Sequence, residues 1–262
     1  MRNQAWKGSD GLVLDEARVA VVVPAYQEAR LIGRMLGRLP ALVDAIYVVD
    51  DASADATSAI ARAVPDGRIQ VLRHTENLGV GAAIVTGYAT AFGQGADVAV
   101  VMAGDDQMDA ADLRALLGPI LEGRADYVKG NRFAHAERSA MPLGRRIAGH
   151  ALSFATRLAT GLDVDDTQCG YTALSARAAQ RLSLAELWPR YGYPNDLLGM
   201  LAARGLRVAD VPVRPVYADE TSGVRPWHAL QVLGVILRRQ YRERTREHSR
   251  LERAIDEVGG PA

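Results

Sequence analysis

Asp105, Asp106 and Gln107 stand together just past an apolar run, VAVVM, Val98 to Met102. A short run of this kind reads as a buried parallel strand, so the three polar side chains are expected to emerge at a strand's carboxyl end. Open α/β sheets bind their ligands there. Clustered oxygen donors suit a hard divalent cation, Mg2+ or Mn2+, and such an ion in turn neutralises phosphates. Two further acidic sites sit in comparable places. Asp50 and Asp51 end AIYVVDD, and Glu28 follows RVAVVVPAY. The chemistry implied is that of a nucleotide-handling site.

The elements that must position these residues alternate along the chain. RVAVVVPAY from Arg18 is expected to be the first buried strand and LIGRMLGRL from Leu31 a helix. AIYVVDD from Ala45 is the second strand, with Asp55 capping a helix that runs to Val64. RIQVLR from Arg68 is the third, and GVGAAIVTGYATAFG starts a helix of small residues at Gly79. The fourth is the run before Asp105, after which Asp109 and Asp112 open a helix that Gly118 and Pro119 can bend. Such alternation implies an α/β fold with a mostly parallel sheet and right-handed crossovers. Beyond Gly130 the pattern loosens. MPLGRRIAGHALSFATRLATGL from Met141 is an amphipathic helix, and DTQCGYTALS a loop entering a short strand. YPNDLLGMLAARG is a helix, and LRVADVPVRPVY a strand whose prolines favour an edge.

Composition narrows the classes. The 31 basic and 31 acidic side chains cancel, so no global field argues for nucleic acid. Cys169, the single cysteine, forms no internal disulfide, and the five histidines lack metal-ligand spacing. A reducing, cytoplasmic setting follows. The polar start MRNQAWKGSDG does not resemble a signal peptide, and no apolar run reaches the ~20 residues of a membrane span.

Four motifs in order, PAYQE (Pro24 to Glu28), VDDASADAT (Val49 to Thr57), ENLGVGAA (Glu76 to Ala83) and GDDQMDAADL (from Gly104), resemble family 2 glycosyltransferases of the GT-A fold. YVKGNRF, DTQCGYTA, VPVRPVY and SGVR sharpen the resemblance toward the polyprenyl-phosphate sugar transferases, of which dolichyl-phosphate mannosyltransferase is the familiar member. The resemblance spans about Val19 to Arg225. It implies a Rossmann-like sheet with helices on both faces, in a single domain over 1–225. The nucleotide-sugar half would cover about 18–130 and the acceptor half about 131–225, with a helical basic extension over 226–262.

The resemblance also implies roles. Pro24, Tyr26, Glu28, Asp51, Gly81, Asp105 and Asp106 would contact a UDP- or GDP-sugar, although Asp50 or Asp51 could equally cap the next helix. Asp105 and Gln107 would hold the divalent metal. The first aspartate of the family's D-x-D is replaced by Ala103, so Asp105 has less help than usual, unless Asp106 compensates. D-D-x-x-D, spelled by Asp105, Asp106 and Asp109, belongs to all-helical prenyl-diphosphate enzymes and does not fit this context. For a hydroxyl acceptor on a glycan, Asp196 would serve as catalytic base. For a polyprenyl phosphate the acceptor is already an anion, and Arg132, Arg145 and Arg225 would cradle it. A non-catalytic nucleotide-sugar-binding protein is the remaining alternative.

At the C-terminus, WHALQVLGVIL precedes RRQYRERTREHSRLER, in which seven Arg oppose three Glu. This extension is expected either to lie in a membrane surface with its arginines on anionic lipid or to pack on the body. The first would place the protein at the inner face of the cell membrane.

Overall fold

The computed structural model describes residues 16–216, 231–243 and 245. Among these residues one seven-stranded sheet organises the chain, in the order β3-β2-β1-β4-β6-β5-β7. The strands are β1 (Val19–Ala25), β2 (Ala45–Asp50), β3 (Ile69–Arg73), β4 (Val98–Val101), β5 (Tyr127–Asn131), β6 (Thr172–Ser175) and β7 (Val208–Pro212). Every residue of β1 is buried, as a central strand covered on both faces requires. Val21 pairs with Ile46 of β2 on one side and with Val100 of β4 on the other, all parallel.

Alternate side chains of β1 feed two cores. Val19, Val21 and Val23 pack with α1 (Ile32–Leu36) and α4 (Leu113–Leu121), while Ala20 and Val22 pack with α3 (Val80–Gly93) and α7 (Tyr193–Ala203). Each fully buried valine contributes about 2 kcal/mol, which fixes the register because a one-residue slip would exchange the two faces. α2 (Thr57–Ala63) closes the first face beside β2 and β3. A Cβ at Gly87 would lie 2.1 Å from Val22 Cγ1, so α3 owes its close approach to the sheet to that glycine.

The first four strands agree with the sequence expectation, and β7 is an edge strand as its proline predicts. Two features differ. YVKGN forms β5, and β6 runs antiparallel between β4 and β5. The amphipathic segment from Met141 becomes α5 (Leu143–Thr160), and the short α6 (Ala176–Arg181) follows β6. Residues 231–243 form a last helix, α8, which buries Val232, Val235 and Ile236. Arg225, Trp227 and His228 lie outside the described residues.

Candidate functional site

The carboxyl ends of β1, β2 and β4 lie side by side. Among the described residues, the non-glycine positions with left-handed backbone are Gln27, Ala52 and Asp106, one just beyond each of these three strands. That conformation costs about 1 kcal/mol or more per residue, and such strain concentrates where a chain shapes a ligand site. The loops are also laced together. Backbone N–H groups of Gln27, Glu28 and Ala29 donate to Ser53 Oγ (2.9 Å), Thr57 Oγ1 (2.8 Å) and Asp55 Oδ2 (3.1 Å). PAYQE is thus held by VDDASADAT.

The acidic residues divide into structural and available groups. Asp50 is fully buried and accepts from the Ser53 N–H and the Ser58 hydroxyl. Burial alone would raise its pKa, but those hydrogen bonds and Arg73 outweigh it and hold it below the usual carboxylate range. Asp51, expected either to contact base or ribose or to cap the next helix, is engaged by the chain itself. Its carboxylate accepts from the N–H groups of Leu78 (2.9 Å) and Gly79 (2.7 Å) and pairs with His74 Nδ1 at 2.7 Å, so it caps the entry to α3. At Gly81 a Cβ would sit 2.2 Å from the Trp188 carbonyl oxygen, so its bareness permits close packing there. Pro24 is buried within β1, its carbonyl accepting from the Gly104 N–H, and supports the site from beneath.

Asp105 and Asp106 part company. Asp105 Oδ1 accepts from the Gln107 N–H at 3.1 Å, a tight turn that keeps the two side chains together. Asp106 turns to α1, where Arg34 Nε (2.6 Å) and Arg38 Nη1 (3.0 Å) bind its carboxylate. It lines a cavity of about 720 Å³ with Arg38, Met102, Met108 and Arg214, which no other residue expected to contact nucleotide reaches. Two guanidiniums thus engage the carboxylate that was expected to contact ligand or to compensate for Ala103. Tyr26, 46% exposed, and half-buried Glu28 stand at the mouth of the strand ends. Asp105 and Gln107 offer hard oxygen donors. Among the described residues no three His, Cys, Asp or Glu converge as a metal set. A divalent ion at Asp105 would draw the rest of its shell from phosphate and water, which Mg2+ and Mn2+ accommodate.

The acceptor half reaches this site through α7. The charge of Asp105 acts on Tyr193, the first residue of α7, whose phenol is pushed up mainly by burial. Asp196 lies one turn further along α7. It is fully buried, Arg239 of α8 forks its two oxygens at 2.8 and 2.7 Å, and the Trp188 N–H donates to it at 2.8 Å. Both carboxylate oxygens are thus committed to a buried ion pair. Sequence reasoning missed Arg239, whose burial shows this part of the extension packed on the body, one of the two arrangements expected for it.

Arg132 grips Asp166 through Nε (2.7 Å) and Nη2 (3.0 Å), which fixes its orientation. Arg145, on the first turn of α5, and Arg132 both act on Tyr191, whose phenol burial raises and whose anion the two charges favour. Both cations thus bear electrostatically on one residue of the loop that precedes α7. Gln168 donates to Asn195 Oδ1 at 3.0 Å and serves packing between that loop and α7. Beneath lies Lys129, fully buried, its ammonium donating to the Cys169 carbonyl and its pKa lowered by burial. Its register partner Asp210 is pushed up to about 6 by burial, against the pull of the Asp165 N–H and Lys129. Cys169 is buried, as a small hydrophobe should be.

The sheet order and helix placement match the crystal structure of glucosyl-3-phosphoglycerate synthase from Mycobacterium tuberculosis in complex with Mn2+, UDP and phosphoglyceric acid. The TM-score is 0.67 at 21% identity, over 90% of this chain and 85% of that one. The likeness defines the fold as GT-A. A sequence profile described as Glycosyl transferase family 2 matches residues 20–179. The UDP-N-acetylglucosamine–dolichyl-phosphate N-acetylglucosaminyltransferase of Methanococcus voltae is 30% identical over 217 residues, 77% of this chain and 86% of its own length. Polyprenol monophosphomannose synthase of Mycolicibacterium smegmatis is 28% identical over 204 residues, 75% of this chain and 76% of its own. The chain belongs to glycosyl transferase family 2.

Proposed function

We infer that this glycosyltransferase moves a sugar from a UDP- or GDP-sugar to a lipid phosphate of the polyprenyl type. The observation that carries the reading is the state of Asp196. A hydroxyl acceptor needs a base to take its proton, and the carboxylate expected to do so is buried and bound by Arg239 and the Trp188 N–H. A phosphate acceptor needs none, because it arrives as an anion. Arg132 and Arg145, whose charges both act on Tyr191, would supply the positive charge to receive it. The names of the Methanococcus and Mycolicibacterium relatives point the same way.

In the reaction an acceptor phosphate oxygen forms a bond to the anomeric carbon from the face opposite the nucleotide. The bond from that carbon to the diphosphate oxygen breaks with its electron pair, giving inversion and releasing a nucleoside diphosphate. Tyr26 would stack on the base, and Glu28 would accept from ribose hydroxyls. Asp105 and Gln107 would hold a Mg2+ or Mn2+ ion, which as a Lewis acid stabilises the charge growing on the leaving diphosphate. Arg145 and the Asp166-oriented Arg132 would hold the acceptor in line.

Incubating the protein with radiolabelled UDP- and GDP-sugars, Mn2+ and either polyprenyl phosphate, polyprenol or a glycan tests this. Label should enter a glycosyl phosphoryl lipid and require the phosphate. Transfer confined to a hydroxyl acceptor, or nucleotide-sugar binding with no transfer at all, would overturn the reading.

A further inference from the structure

A helix on a protein surface ordinarily buries its large apolar side chains and shows polar ones to water. α5 does the reverse. Its buried residues are Gly149, Ser153 and Thr156. Ser153 hydrogen-bonds Thr167, Thr156 accepts from Asn195, and a Cβ at Gly149 would strike Phe133 at 2.7 Å, so this side is firmly seated on the body. Leu143, Ile147, Phe154 and Leu158 are 67%, 62%, 66% and 79% exposed. At ~100° per residue these four and Ala151 fall within about 80° of arc, directly opposite the seated side. They form one continuous apolar stripe along an 18-residue helix.

α8 lies beside the end of α5 and carries exposed apolar side chains of its own. Gln240 donates to the Ala159 carbonyl at 3.0 Å, which brings α8 against the last turn of α5. Leu237 and Tyr241 of α8 are 64% and 73% exposed. Charge selects the occupant. α5 carries Arg145, Arg146 and Arg157 and no acidic residue, with Arg146, His150 and Arg157 along one border of the stripe. Arg157 is shared with Asp165 (2.9 Å) and Asp163 (4.0 Å) beyond the helix end, so the positive charge that remains on this border is that of Arg146. A second copy packed across a two-fold axis would set such borders against each other. An anionic lipid surface would be attracted to both the stripe and its border. No helix among the described residues is long and apolar enough to cross a membrane, so the contact would be one of lying on the bilayer.

We propose that the outer face of α5, together with Leu237 and Tyr241 of α8, docks on an anionic lipid bilayer and brings the Arg145 end of the helix to the headgroup layer. The proposal rests on the lipid-phosphate reading only for what the docked enzyme would take from the bilayer.

Flotation of the full chain with vesicles of phosphatidylcholine, alone or mixed with phosphatidylglycerol, tests it against Ile147→Glu/Phe154→Glu. Both side chains are solvent-exposed, so the double variant should fold, with an unchanged melting shift on adding UDP- or GDP-sugar. The parent should float with the anionic vesicles, and the variant's partitioning should drop about tenfold or more. Transfer to a short, water-soluble isoprenyl phosphate should be the same for both. A parent that stays unbound, or a variant that floats equally well, overturns the proposal. A parent dimer that ignores vesicles and that the variant dissociates would assign the face to a second copy. Docking that holds while no phosphate acceptor is glycosylated would sink the functional reading and leave the docking intact.

Discussion

Replacing Arg239 by methionine should destabilise the protein far more than a surface change. The guanidinium is 2% exposed and lies against an Asp196 side chain that is 0% exposed. Once Arg239 is gone, that carboxylate keeps the Trp188 N–H as a partner, and removing one member of a buried pair costs about 3–5 kcal/mol. Asp196→Asn should cost less, about 1–3 kcal/mol, because Arg239 retains Glu243 and the Glu186 carbonyl and the amide oxygen can still accept. The double variant should be more stable than the sum of the two losses implies, by about 1–3 kcal/mol, since it leaves no buried charge on Asp196 unpaired. Urea midpoints measure these terms. Initial rates with saturating nucleotide sugar and lipid phosphate, at a temperature where every variant is folded, measure the other half. If Asp196 is a structural hub, kcat of Asp196→Asn stays within about tenfold of the parent, whereas loss of a general base costs about 10²–10⁴-fold. An Asp196→Asn protein that unfolds like the parent but transfers about a thousandfold more slowly would refute the reasoning.

Two further outcomes follow from the site and its surroundings. Ala103→Asp restores a second carboxylate beside Asp105 and should lower the Mn2+ concentration for half-maximal activity about tenfold or more; an unchanged metal dependence would show that Asp105 is not a ligand. Asp126 and Asp210 should give opposite pH signatures. Asp126 accepts from Arg207 and Arg177, whose hydrogen bonds outweigh burial and lower its pKa. It therefore stabilises above its unfolded value and less as pH falls, so Asp126→Asn should cost about 1 kcal/mol at neutral pH, allowing for the exposed guanidiniums, and converge with the parent in acid. Asp210 is raised from 3.8 to about 6, so the parent loses stability as pH rises between those values, and Asp210→Asn should gain up to about 3 kcal/mol above pH 6 but nothing below 4. Melting curves across that range check both signs.

The parallel half of the sheet was legible because its strands are unbroken apolar runs, and burial on both faces admits nothing else. YVKGN escaped because Lys129 and Gly130 break the run, yet Lys129 is fully buried. The antiparallel course of β6 is set by partners on either side and leaves no periodicity of its own. Residue type and strand position also showed where carboxylates would emerge. They could not show which distant groups would claim them. Asp51 is taken by Leu78 and Gly79, Asp106 by Arg34 and Arg38, and Asp196 by Arg239, 43 residues on. The left-handed backbone at Gln27 and Ala52 has no sequence signal, since neither is a glycine. α5 was legible as amphipathic, but a hydrophobic pattern does not say which face meets the protein.

The Asp196–Arg239 pair also sets the order in which the chain can be completed during synthesis. α7 and the loop from Trp188 to Tyr191 can be made long before residue 239 leaves the ribosome, but until it does Asp196 has no countercharge and its burial is opposed. That loop packs on Gly79 and Gly81 and carries Tyr191, on which the charges of Arg132 and Arg145 act. Donor-side strands can therefore assemble early as the chain emerges. The acceptor side closes last, when α8 arrives, so an incompletely synthesised chain holds a sheet without a finished site.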